Sequence, residues 1–153
     1  FAFVGDSICR AGTSHAFVVQ GARPGESPDR ATAWVILGQP LTGAAVPLWV
    51  AAGDVPPELA AGPADAPLHA AFERARMQIF PHAEPDRARY LDAGRLYAPA
   101  AGLLRPLLDQ EKKNLADAAK GLEGPRPDLK ALQSAIARRT LEAVLGILKG
   151  QGR

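Results

Sequence analysis

ICRAGTSHAFVVQG at residues 8–21, ATAWVILGQP at 31–40 and AVPLWV at 45–50 carry the reading of the fold. Ala16 to Gln20 and Ala33 to Leu37 are β-branched and aromatic runs bounded by Gly, Pro and Ser, which is the composition of strands. Val46 to Val50 reads as a weaker third strand. The first two runs are nearly continuous in apolar residues rather than alternating, which predicts a sheet covered on both faces. Gly21 to Arg30 joins them with two prolines and no helical period, so residues 15–20 and 33–38 are expected to be neighbouring antiparallel strands. Gly38-Gln39-Pro40 ends the second strand, because proline has no N–H to give to a ladder.

Working outward, the remainder divides into a Pro/Gly-rich connection and a helical half. Residues 51–67, AAGDVPPELAAGPADAP, contain too many breakers for a long regular element. From 68 to 153 the period becomes helical. Leu68 to Phe80 places Leu68, Phe72, Ala75, Met77 and Ile79 on an apolar face, and a second short element is expected over about Pro85 to Leu96, started by Pro85 and Asp86. Leu103, Leu104, Leu107, Leu108, Glu111, Leu115, Ala118 and Ala119 trace a longer face that ends near Gly121. After GPRPD, Asp128 is a fitting N-cap for a helix bearing Leu129, Leu132, Ile136, Thr140, Ala143 and Ile147. The pair reads as an antiparallel helical hairpin whose apolar faces close the core. The fold class is therefore α+β, with antiparallel strands in 1–50 followed by helices.

The 153 residues suffice for one domain with a sizeable core. Phe1 is not an initiator methionine, and FAFVGDSICR opens on an apolar run. We therefore expect a processed product or the C-terminal fragment of a larger domain, the alternative being a simple boundary with residues missing. Eighteen basic and sixteen acidic side chains leave a formal charge of +2. Arg74, Arg76, Arg87, Arg89, Arg95, Arg138 and Arg139 are dispersed among acids, so no phosphate-backbone surface and no nucleic-acid partner are read. No run approaches a transmembrane span. The first residues lack the positive n-region of a secretory signal, and one cysteine forms no internal disulfide, so the compartment stays open.

His15, His69 and His82 lack the spacing of a zinc site, and His82 beside Glu84 and Asp86 reads as a solvated turn; no metal and no cofactor are expected. Gly21, Gly25, Gly38 and Gly43 lack the Lys-Ser/Thr that would follow a phosphate loop. Ser7, Thr13 and Ser14 lie in neither a G-x-S-x-G nor an S-x-x-K arrangement and read as turn-closing hydroxyls. Cys9 beside Arg10 has a neighbour that favours thiolate, with His15 as the first candidate base, but a small side chain packed on the sheet is the better reading. Arg10 is the candidate contact for a carboxylate or for charge developing on an oxygen, since its planar fork suits both.

Ser7-Ile8-Cys9-Arg10, Thr13 to Gly21 and Trp34 to Pro40 together resemble N-terminal-nucleophile hydrolases of the acyl-CoA:6-aminopenicillanic-acid acyltransferase and choloylglycine-hydrolase type. The likeness spans about residues 6–50. It implies the C-terminal part of a four-layer αββα sandwich. It further implies a precursor that cleaves itself to free an N-terminal cysteine, whose own α-amine serves as base for attack on an amide. The resemblance maps the family's Ser-Arg-like segment onto Arg10, with Ser7 three residues before it rather than adjacent. The nucleophile and its Asp or Asn partners would lie upstream, so this segment alone is expected to be inactive.

The reading that results is the C-terminal portion of an amide hydrolase or acyltransferase. A small-molecule or peptide-derived amide would be its substrate, and the upstream portion of the same precursor its partner. Arg10, Ser7 and Trp34 are the candidate substrate-binding residues, and a homo-oligomer is compatible with it. The rival is a non-catalytic α+β module in which Trp34 and Trp49 are packing or interface anchors.

Overall fold

The computed structural model describes residues 1–4, 7–62, 64–80, 89–99 and 102–150. Among them the chain is mixed α+β, with antiparallel sheets and C-terminal helices. Strands β1 (Ala2–Phe3), β2 (His15–Gln20), β3 (Thr32–Leu37) and β4 (Val46–Leu48) precede helix α1 (Pro67–Ile79). Strand β5 (Tyr90–Leu91) and helices α2 (Ala93–Tyr97), α3 (Leu104–Gly121) and α4 (Leu129–Gly150) follow. The main sheet has the order β2-β3-β4, and β2 pairs antiparallel with β3 from His15 opposite Leu37 to Gln20 opposite Thr32. A second, two-stranded sheet pairs β1 with β5.

Sequence chemistry explains the element ends. Pro67 occupies the first position of α1, where its missing N–H is no loss. Asp128 caps α4 by accepting the Ala131 N–H at 2.9 Å. Gly121 ends α3 where Leu132 presses close: a Cβ there would lie 2.5 Å from the leucine methyls. The two long helices run antiparallel, joined by Thr140 Oγ1 on Asn114 Oδ1 at 3.1 Å and by the Arg139–Asp117 ion pair at 3.0 Å.

Helices α3 and α4 meet the outer edge of β4 through polar side chains. In an antiparallel pair alternate residues turn their N–H and C=O away from the partner strand. Here those residues are Ala45, Pro47 and Trp49. Glu111 Oε2 accepts the Ala45 N–H at 3.0 Å, Asn114 Nδ2 donates to Ala45 O at 2.8 Å, and Gln133 Oε1 accepts the Trp49 N–H at 3.1 Å. Pro47 has no donor to satisfy. Trp49 is 2% exposed, and its indole N–H donates to Thr32 Oγ1 at 2.8 Å. Gln110 completes the cluster by donating to Asn114 Oδ1 at 2.9 Å.

Several expectations need correction. The sheet is not covered on both faces throughout, because Phe17, Val18 and Val19 of β2 are 66%, 66% and 65% exposed. The half after residue 68 is not purely helical, since β5 returns to pair with β1. The buried face of α3 is Leu107, Gln110, Asn114 and Ala118, turned away from Leu108 and Leu115, which are exposed. The rotation follows from hydrogen bonding: β4 needs amides opposite its edge, and a strictly leucine face would leave its backbone groups unpaired. Met77, read as part of the α1 face, is likewise exposed. The expected start at Pro85 and Asp86 lies outside the described residues, as does the His82–Glu84–Asp86 turn; α2 begins at Ala93 with Asp92 as its cap.

An exposed ion pair joins the connection after β4 to the start of α4. Lys130 Nζ lies 2.8 Å from Asp54 Oδ2, and this hydrogen bond, with help from the Val55 N–H, holds the Asp54 carboxyl below its ordinary range. The same bond raises the Lys130 ammonium. The lowered acid contributes stability that is complete above the pKa of unfolded aspartate and is lost as pH falls through the folded value. The raised base contributes below the pKa of unfolded lysine and loses its share as pH rises through its folded value. The stability difference between the native chain and Lys130→Met should therefore be flat through neutral pH and shrink only at the acid and alkaline extremes, and it should be small because both groups are exposed.

Leu107 and Ile136 lie in the core as read from the helical period. Replacing either by alanine should cost about 2 to 5 kcal/mol in denaturant unfolding. Asn114→Leu, which keeps the volume, should cost about 1 to 3 kcal/mol because Ala45 O then loses its donor. Equal stability of the Asn114 variant would show that apolar contact alone seats α3.

Candidate functional site

The segment Ser7–Ser14, leading into β2, is a series of tight turns rather than a strand. Ser7 N–H and Oγ both donate to Val4 O, at 3.1 and 2.9 Å, and Thr13 N–H donates to Arg10 O at 2.9 Å. Thr13 Oγ1 donates to Ile8 O. Ser14 O then accepts the Gly38 N–H at 2.7 Å, which starts the β2–β3 ladder. Gly38 sits at φ +115°, a conformation side-chain-bearing residues rarely adopt, and a Cβ there would meet Phe72 Cβ at 3.2 Å.

Gln39 fastens these turns to the sheet. It is fully buried, its Oε1 accepts the Leu41 N–H at 2.6 Å, and its Nε2 donates to Cys9 O at 2.9 Å and Arg10 O at 3.0 Å. The two carbonyls beside Cys9 and Arg10 are thereby fixed from below, while the Arg10 side chain stays exposed. Its guanidinium forms no hydrogen bond or ion pair among the described residues. An open depression of about 520 Å³ surrounds it, rimmed by Ser7, Gly12, Thr13, Ser14 and His15.

The structure thus brings Ser7 and Arg10 to one depression and sets Trp34 elsewhere. The Ser7 and Thr13 hydroxyls spend their protons on backbone carbonyls, so neither adds a free donor beside the Arg10 guanidinium. His15 shares a 3.1 Å hydrogen bond with Ser14 Oγ through Nδ1 and stacks on Phe17. Cys9 is half-buried and does not line the depression, so the rim joins Arg10 to His15 without the thiol. Trp34 is half-buried in a separate groove of about 250 Å³ between the sheet and α3, with Val18, Ile36, Glu111 and Leu115. Trp49 is a core side chain.

The polar residues that organise this region escaped the sequence reading. Gln39 read as the end of a strand, and its signal was only its place between a glycine and a proline. Gln110, Asn114 and Gln133 break otherwise apolar faces at helical spacing, which is the mark of a buried polar network. Among the described residues no group of three or more His, Cys, Asp or Glu side chains gathers, and no helix is long and apolar enough to cross a membrane. No family model, curated protein or solved structure matches the chain.

Gln39→Leu should release the Cys9–Arg10 turn without emptying the core, since it keeps the side chain's bulk. Alkylation of Cys9 in the folded chain should then quicken by about 10-fold, the protection of a locally opening segment being lost. An unchanged rate would mean that the turns hold without Gln39.

Proposed function

We propose that this chain is the C-terminal portion of an amide hydrolase or acyltransferase of the N-terminal-nucleophile type, within an αββα sandwich completed by the upstream portion of the precursor. The observation that carries the reading is the Arg10 turn, clamped by a buried glutamine and presenting a free guanidinium over a depression at the end of the sheet. A planar cation on a rigid backbone is suited to bind the carboxylate of a small or peptide-derived amide, or an oxyanion formed from it. The α+β arrangement, with antiparallel strands and helices packed beside them, is compatible with the sandwich.

In this scheme the attacking cysteine belongs to the upstream portion and is activated by its own α-amine, which takes the thiol proton. Sulfur bonds to the carbonyl carbon, the C–N bond breaks, and the amine leaves with that proton. Water or an acceptor amine then frees the acyl group. Cys9 is internal and offers no such amine. Its role is packing.

A second reading has its own support. Trp49 is buried with its N–H satisfied by Thr32, as a structural anchor would be, which is what a non-catalytic α+β module requires of it. The two readings part in the complete precursor. Arg10→Lys should lower kcat/KM for carboxylate-bearing amides by about 10-fold or more, because the ammonium lacks the bidentate fork. Cys9→Ala should leave turnover unchanged at a stability cost of about 1 kcal/mol. The 153-residue chain alone should cleave no amide. Absence of turnover in the complete precursor across a panel of carboxylate-bearing amides would favour the module. Activity in the isolated chain that vanishes with Cys9→Ala would make Cys9 the nucleophile.

A further inference from the structure

The two edges of the main sheet are finished differently. At β4 the outward backbone groups of Ala45 and Trp49 are taken up by Glu111, Asn114 and Gln133, and Pro47 removes the donor between them. At β2 the hydrogen bond from Gly38 N–H to Ser14 O sets the alternation, so His15, Phe17 and Val19 turn their N–H and C=O away from β3. No hydrogen bond reaches those backbone groups among the described residues. Nor does β2 carry the usual protection of a free edge, for it has no proline, lysine, acidic residue or bulge.

Its side chains point to the same conclusion. Val18 projects on the face that carries Trp34, Phe17 and Val19 on the other, and all three are about two-thirds exposed. A strand apolar on both faces belongs inside a sheet. We propose that β2 is a strand-acceptor edge through which this chain joins the upstream portion of its precursor, which supplies the next strand together with cover for both faces. The inference rests on the proposed existence of that portion and names how it attaches.

Geometry separates this occupant from the others. Two copies paired through β2 would share a ribbon about 20 Å long and one sheet thick, burying on the order of 400 Å² in total, well below the roughly 1,200 Å² of a specific interface. A pair held by that ribbon alone would leave Phe17, Val18 and Val19 uncovered on both faces. A short added peptide has the same defect.

The test compares hydrogen exchange in the 153-residue chain with exchange in its complex with the polypeptide encoded immediately upstream, the two being co-expressed. Ala16 and Val18 amides, bonded to β3, should be protected in both samples, whereas Phe17 and Val19 amides should slow by about 100-fold or more only in the complex. Phe17→Pro removes an outward N–H and leaves the β3 ladder intact, so it should abolish co-purification. Phe17→Lys should do the same, while Val50→Lys, at a fully exposed position elsewhere, should not. An initiation codon at residue 1, failure of the two polypeptides to associate, association without protection at Phe17 and Val19, or protection of these amides in a dimer of the chain alone would each overturn the proposal. Protection in a complex that cleaves no amide would leave strand addition standing and remove the hydrolase reading; amide cleavage without that protection would do the reverse.

Discussion

The capture of the β4 edge by side chains of α3 and α4 is the interaction on which the rest of this structure depends. Ala45 and Trp49 lie where the helices meet the sheet, and their outward backbone groups have no neighbouring strand among the described residues. A buried amide without a partner costs about as much as several favourable contacts supply, so the helices must bring polar groups to that line. Glu111, Asn114 and Gln133 do so, and their need to face the strand sets the rotation of both helices. Leu108 and Leu115 are left outside as a result. The apolar surfaces bring the layers together, and the amides choose which layer positions meet.

At the end of β3 a similar device acts on a smaller scale. Gln39 is held by Leu41 and holds two carbonyls of the preceding turns. Because Gly38 allows the chain to turn sharply beside Phe72, the glutamine enters the interior directly from the strand end. Packing and the presentation of Arg10 are thus linked through one side chain: the same amide that completes a buried hydrogen-bond set also fixes the backbone from which Arg10 projects. Charge presented on a clamped turn loses less conformational freedom on meeting an anion than charge on a mobile loop.

The sheet is consequently asymmetric. One edge is sealed from within, and the other is bare, among the described residues, in both its outward backbone groups and its side chains. An edge of this kind raises the risk of unwanted association, and the chain carries no residue on β2 that would reduce it. The groove holding Trp34, Val18 and Leu115 continues the apolar surface of that edge toward α3. Exposed Leu115 on α3 and exposed Val18 on β2 therefore belong to one face of the molecule rather than to scattered positions.

Strands β2 and β3 with their antiparallel neighbourship, the third strand near Val46, the proline-rich connection, α1 and the helical hairpin were legible in the sequence, because each is dictated by local chemistry: side-chain shape, period and the restrictions of Gly and Pro. Arg10 and Ser7 could also be picked out as neighbours, since only a few turn residues separate them. Tertiary structure alone decided which face of α3 is buried, because the partners of Asn114 and Glu111 lie on Ala45, far away in sequence. It alone joined β5 to β1, set Trp34 apart from Arg10 and made Gln39 a clamp. Periodicity records how apolar a face is, but not which distant backbone group will need a donor there. For the same reason the nearly continuous apolar run of β2 led to the expectation of a covered strand, whereas the fold leaves Phe17, Val18 and Val19 exposed among the described residues.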